Sequence, residues 1–105
     1  MKHEELLIEI KAELNKTFGG SIRKVILFGS RIENTYRDYS DYDILILLEK
    51  SVDWRTRDRI LDVLTDVNIK HDILIDAHII AEPELNTIRG KQPFIENAMK
   101  TGIAV

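Results

Sequence analysis

Two carboxylates, Asp41 and Asp43, stand two residues apart where an apolar run begins, Tyr42 to Leu48 (YDILILL). Positions i and i+2 of a strand share a face and lie about 7 Å apart along the backbone. Like charges held that close cost energy unless a cation neutralises them. Hard divalent ions such as Mg²⁺ take oxygen ligands and keep coordination positions for substrate phosphates. In a two-metal site the ions sit about 3.5–4 Å apart, a span that carboxylates from one strand serve. An Asp-x-Asp alone is weak evidence, because solvated carboxylates at strand ends are common. Upstream, Gly29-Ser30-Arg31 follows a second apolar run, Val25 to Phe28. A glycine there lets the backbone approach a ligand closely. Ser30 supplies a hydroxyl and, at a helix start, amide donors for phosphate oxygens. The plainer reading of Gly29-Ser30 is a turn and a helix cap.

A third group of ionisable residues lies in His71-Asp72-Ile73-Leu74-Ile75-Asp76-Ala77-His78. Read as a strand, it places Asp72, Asp76 and His78 on one face, so periodicity does not choose between the two acids. The same three side chains could bind Zn²⁺ or a redox metal, but a lone strand histidine is usually packed or solvated. Arg55, Arg57 and Arg59 suggest nucleic acid, yet Arg55 and Arg59 each have an acid three residues on, Asp58 and Asp62, which reads as a salt-laced solvated helix face. Tyr36 and Tyr39 could stack on a nucleobase or pack on the domain edge, and Arg37 is a candidate triphosphate contact. Neither a Walker-type G-x-x-x-x-G-K-S/T nor a G-x-G-x-x-G is present, which dismisses P-loop and dinucleotide-fold readings.

These residues need elements to hold them. Residues 2 to about 17 read as a helix with Leu6, Leu7, Ile10 and Leu14 inward and Glu4, Glu5, Glu9, Lys11 and Glu13 outward, ended by Gly19-Gly20. Ile22 to Phe28 and Tyr42 to Leu48 read as strands apolar on both sides, hence covered on two faces. The polar connection between them, Gly29 to Ser40, is of the kind that carries function. Asp53 to about Val67 is a helix with Leu61, Leu64 and Val67 as its stripe, widened by Ile60 and Trp54. His71 to Ile80 is a third strand. Ala81-Glu82-Pro83 opens a short helix with Pro83 at its start. Pro93 to Lys100 is a last helix stopped by Gly102, and Ile103 to Val105 is an edge strand. The order α-β-β-α-β-α-α predicts an α/β (α+β) domain, a small mixed β-sheet with flanking helices.

The chain has 105 residues, enough for one domain. Its 15 Lys+Arg against 18 Asp+Glu give −3, which weighs against non-specific grip on duplex nucleic acid. The absence of cysteine excludes thiol catalysis, Cys-ligated zinc, iron–sulfur clusters and disulfides. No apolar run approaches the roughly 20 residues that span a bilayer, and the acid-containing N-terminus is unlike a secretory signal. A single cytoplasmic domain over residues 1–105 is the expectation.

Phe28-Gly29-Ser30-Arg31 followed by Ser40-Asp41-Tyr42-Asp43-Ile44-Leu45 resembles the minimal nucleotidyltransferase (MNT) group of the DNA polymerase β-like superfamily. That pattern is a strand ending in Gly-Ser-Arg, a glycine a few residues on, then Ser-Asp-x-Asp opening the next strand. One position departs: Asn34 stands where the family has its second glycine, and Asn is the residue next best suited to a left-handed turn. The resemblance implies a polymerase β-like palm fold and places the third carboxylate after Leu74-Ile75, at Asp76. It further implies Mg²⁺-dependent transfer of an NMP from an NTP, AMP from ATP, to a hydroxyl acceptor. Asp41, Asp43 and Asp76 would be the catalytic, metal-holding acids of a two-metal site, with Gly29, Ser30 and Arg31 on the nucleotide. MNT proteins are commonly paired with HEPN proteins in toxin–antitoxin modules, so AMP transfer to a HEPN-type partner is one expectation. An antitoxin-like interaction subunit with a weak or inactive nucleotide site is the alternative. About 25 residues follow the third strand, too few for a second core. This predicts a homo-oligomer or hetero-complex, with the exposed sheet edge and the Ile103-Ala104-Val105 tail as contact surfaces.

Overall fold

The structure is a computed structural model and describes residues 2–29 and 41–105. Helix α1 (His3–Phe18) buries Leu6, Leu7, Ile10 and Leu14, the stripe its sequence periodicity predicts. It stops where Gly19 takes a positive φ of 65° and its N–H bonds Asn15 O. Strand β1 (Ile22–Phe28) pairs antiparallel with β2 (Tyr42–Leu48). Helix α2 (Trp54–His71) leads into β3 (Ile75–Ala81), which lies parallel to β2. A short 3-10 turn (Glu82–Asn86), helix α3 (Pro93–Thr101) and β4 (Ile103–Ala104) complete the order. The strands run β3-β2-β1-β4 in one mixed sheet, with β4 antiparallel to β1.

Strand side chains alternate between two cores. Val25, Leu27, Ile44, Ile46 and Ile79 face α1 and α2, where they meet Leu7, Ile10, Leu14, Ile60, Leu64 and Val67. Ile26, Phe28, Leu45, Leu47 and Ile80 face the other way and are covered by Ile95 and Ala98 of α3. Apolar runs without alternation in β1 and β2 therefore do mean a sheet covered on both sides. An irregularity between Ile22 and Lys24 shifts the register and turns Ile22 into the first core alongside Val25.

Three expectations need correction. The second helix runs four residues further than Val67, because His71 is anchored to α1: its Nε2 lies 2.7 Å from Glu9 Oε2. Asp72 then ends α2 in the left-handed conformation (φ 52°, ψ 49°), and β3 starts only at Ile75, whose N–H donates to Asn68 Oδ1 at 3.0 Å. The buried stripe of α2 is Ile60, Leu64 and Val67, whereas Leu61 and Trp54 are exposed. The terminal tail is also used within the chain. Val25 and Val105 exchange both backbone hydrogen bonds, and Ile103 and Val105 pack on the first core.

The far edge of the sheet, β3, is shielded by side chains. Ala81 N–H donates to Glu84 Oε1 at 3.1 Å, and Arg89 donates from Nη2 to Ile79 O at 2.6 Å and from Nη1 to Glu84 Oε2 at 2.8 Å. Charged side chains on an edge strand discourage pairing with another chain. Among the described residues, no helix is long and apolar enough to cross a membrane.

Candidate active site

The parallel register of β2 and β3 sets Asp43 directly beside Asp76, and the antiparallel register of β1 and β2 sets Phe28 beside Asp43. Asp43 shares its side of β2 with Leu45 and Leu47, and Asp76 and His78 share theirs with Ile80. The acids therefore stand on the α3 side of the sheet, at the end where β1 finishes and β2 and β3 begin. Asp43, Asp76 and His78 each offer one ligand atom, all within 4.8 Å of one another. Asp41 is exposed and precedes β2, so the strand rule for i and i+2 does not govern it. It lies outside the tight group, yet its charge still adds to the field on Asp43.

Gly29 takes φ 83° directly after β1. A Cβ at that position would collide with Asp43 Oδ2 and come within 3.2 Å of its Cγ. The position thus needs glycine for both its backbone angle and the space beside the carboxylate. Ser30, Arg31, Asn34, Tyr36, Arg37 and Tyr39 lie outside the described residues.

Burial pushes the Asp43 carboxyl above its ordinary range, and the neighbouring charge of Asp76 adds to this, partly offset by His78. A half-buried acid made costly to ionise by a second acid is a setting that a divalent cation relieves. Carboxylate oxygens are also the donors such ions prefer, so the residues present fit a divalent metal.

His78 is the residue that sequence reasoning left aside. Its ring lies 4.9 Å from that of Phe94 and 5.6 Å from that of Phe28, and its Nε2 is 3.5 Å from Asp76 Oδ2. Parity with Asp76 was the available signal; the approach to Asp43 depends on strand register, which no local pattern encodes. Asp72, by contrast, terminates α2 outside β3, which removes it from the strand face that Asp76 and His78 share and from the predicted Zn²⁺ set. Arg55 and Arg59 lie over the rings of Trp54 and Phe18, at 5.3 and 5.2 Å, rather than against Asp58 and Asp62. A cleft of about 310 Å³ lined by Lys2, His3, Leu6, Tyr42, His71 and Ile73 opens on the α1 side, away from the acids and with no carboxylate in its lining.

Residues 8–105 match the family model for polymerase β nucleotidyltransferases. Two proteins of Methanocaldococcus jannaschii are similar over nearly the whole chain. The one named "Putative protein adenylyltransferase MJ0604" is 30% identical over 102 residues, covering 97% of this chain and 96% of its own. The one named "Putative protein adenylyltransferase MJ0141" is 30% identical over 101 residues, covering 96% of each.

Proposed function

The chain belongs to the polymerase β nucleotidyltransferase family, and from that premise we propose that it transfers AMP from ATP to a hydroxyl of an acceptor protein. The observation that carries this reading is the side-by-side register of Asp43 and Asp76 next to Gly29. In the reaction an acceptor oxygen forms a bond to the α-phosphorus, the bond from that phosphorus to the pyrophosphate oxygen breaks, and pyrophosphate leaves. Asp41, Asp43 and Asp76 would hold the divalent metals, which would supply positive charge to stabilise the oxygens of the displacement. Asp76, 53% exposed at its side chain, is accessible to take up the acceptor proton. Gly29 lets the chain turn tightly against Asp43, and Ser30 and Arg31 are assigned to the phosphates. The names of the two relatives support a protein as acceptor, and a HEPN-type partner is the candidate that the sequence resemblance suggests.

The test is incubation of the purified chain with α-labelled ATP, Mg²⁺ and a co-expressed HEPN-type partner. Label on the partner, pyrophosphate in solution, and loss of both in Asp43→Asn are expected. Stable partner binding without label or pyrophosphate from any NTP would overturn the transferase reading in favour of an interaction subunit.

A further inference from the structure

The group of potential ligands at the sheet end is not all carboxylate: His78 offers a ring nitrogen within 4.8 Å of ligand atoms of Asp43 and Asp76, and its Nε2 lies 3.5 Å from Asp76 Oδ2. Three features argue that this nitrogen has a task there. The ring is held on its flank by Phe94 of α3 and by Phe28 of β1, so its direction is fixed by packing. At 3.5 Å from Asp76 Oδ2, Nε2 is too far for a strong hydrogen bond, and so is not consumed by that acid. Ligands on a common cation at about 2.1 Å lie within about 4.2 Å of one another. The three ligand atoms lie within 4.8 Å of one another, so the widest pair exceeds that span by no more than about 0.6 Å.

We propose that His78 Nε2 is a direct ligand of the divalent cation held by Asp43 and Asp76, and that it tunes this position toward Mn²⁺ over Mg²⁺. The inference rests on the metal-dependent transferase reading of the same site. Its chemical basis is the ligand set. Mg²⁺ takes oxygen donors almost exclusively and gains little from an imidazole, whereas first-row transition ions accept nitrogen and oxygen together. Two carboxylates and one imidazole therefore favour Mn²⁺ over Mg²⁺. Phe94 acts through His78 as a positioning residue, because its ring keeps the imidazole turned toward the acids.

Electron paramagnetic resonance of Mn²⁺ titrated into the nucleotide-free protein tests this without any activity readout. The parent should bind Mn²⁺ at least about 10-fold more tightly than Mg²⁺ in competition, and its bound Mn²⁺ should show ¹⁴N modulation from a coordinated imidazole. His78→Gln should abolish the modulation and weaken Mn²⁺ about 10-fold, with Mg²⁺ within about twofold of the parent. His78→Phe keeps a ring against Phe28 and Phe94, so the same loss in a variant with the parent's circular dichroism cannot be ascribed to unfolding. His71→Gln should retain the modulation. Bound Mn²⁺ without ¹⁴N modulation, lost in Asp43→Asn but unchanged in His78→Gln, would overturn the role of His78 and leave the carboxylate site standing. Absence of Mn²⁺ binding in parent and Asp43→Asn alike would overturn both.

Discussion

Asp43 and Asp76 are register partners across the parallel β2–β3 pair, so two acids 33 positions apart in sequence are neighbours by backbone pairing rather than by side-chain reach. Their closeness is thus as rigid as the sheet itself. Binding a cation does not have to gather them.

Replacing Asp43 by Asn should separate stability from function. The folded state raises this carboxyl's pKa through burial and the nearby Asp76 charge. Such an acid carries no penalty when protonated in both states, and the full penalty once pH exceeds the raised folded value. At neutral pH the metal-free Asp43→Asn protein should therefore melt at or above the parent's temperature, while Mg²⁺-dependent nucleotide binding is lost. Thermal melts in EDTA paired with calorimetric titration of a non-hydrolysable MgATP analogue check both halves. An unchanged nucleotide affinity would remove Asp43 from the metal site.

Gly29→Ala adds a methyl where φ is positive and the Asp43 carboxylate is already in the way. The backbone cost alone is roughly 1–2 kcal/mol. Because relief of the collision displaces Asp43, activity should fall by more than the stability loss predicts, on the order of 100-fold in kcat/KM for a misplacement near 1 Å. Denaturant melts and steady-state kinetics on the same preparation separate the two effects.

Acid should loosen the joint between α1 and α2. Glu9 is held below its ordinary pKa, chiefly by its hydrogen bond with His71 and further by the charges of His71 and Lys70, against an opposing contribution from burial. A depressed carboxyl contributes stability above its unfolded pKa and loses it as pH falls through the folded one. Glu9→Gln should flatten the fall in denaturation midpoint below about pH 5, with little change in shape near neutrality. Parallel acid limbs for the two proteins would show that the Glu9–His71 contact is energetically idle.

Arg89→Ala uncovers the β3 edge. It removes the donor to Ile79 O and frees Glu84. A loss of about 1 kcal/mol is expected for a partly exposed charged hydrogen bond. The larger consequence is association: sedimentation should report a concentration-dependent rise in mass beyond that of the parent, because an unshielded edge recruits pairing.

Much of the frame was readable because it rests on local pattern. Strand limits at Ile22, Phe28, Tyr42 and Leu48 agree with the apolar runs, and the α1 stripe follows from 3.6-residue spacing. The α2–β3 junction was misread because Ile73-Leu74-Ile75 continues the apolar character of β3 back across the end of the helix. What ends α2 there is a left-handed Asp72, a conformation with no strong composition signal outside Gly and Asn, together with the distant Glu9–His71 contact. The acids were legible as residue types. The adjacency of Asp43 and Asp76 was expected only through the family resemblance, because no local pattern encodes pairing between strands 33 positions apart, and the approach of His78 to Asp43 was not foreseen.

Asp43 and Asp76 both belong to the β2–α2–β3 stretch, whereas β4 must travel back across almost the entire chain to reach β1. Contacts close in sequence form at lower loop-closure entropy than distant ones. Register partners are 15 to 26 positions apart across β1–β2, 33 across β2–β3 and 76 to 78 across β1–β4, so the β1–β4 seam is the costliest of the three to close. Loss of that seam would leave β2 and β3 paired, with the two acids side by side. The pairing that sets the two acids together therefore does not depend on the β4 edge.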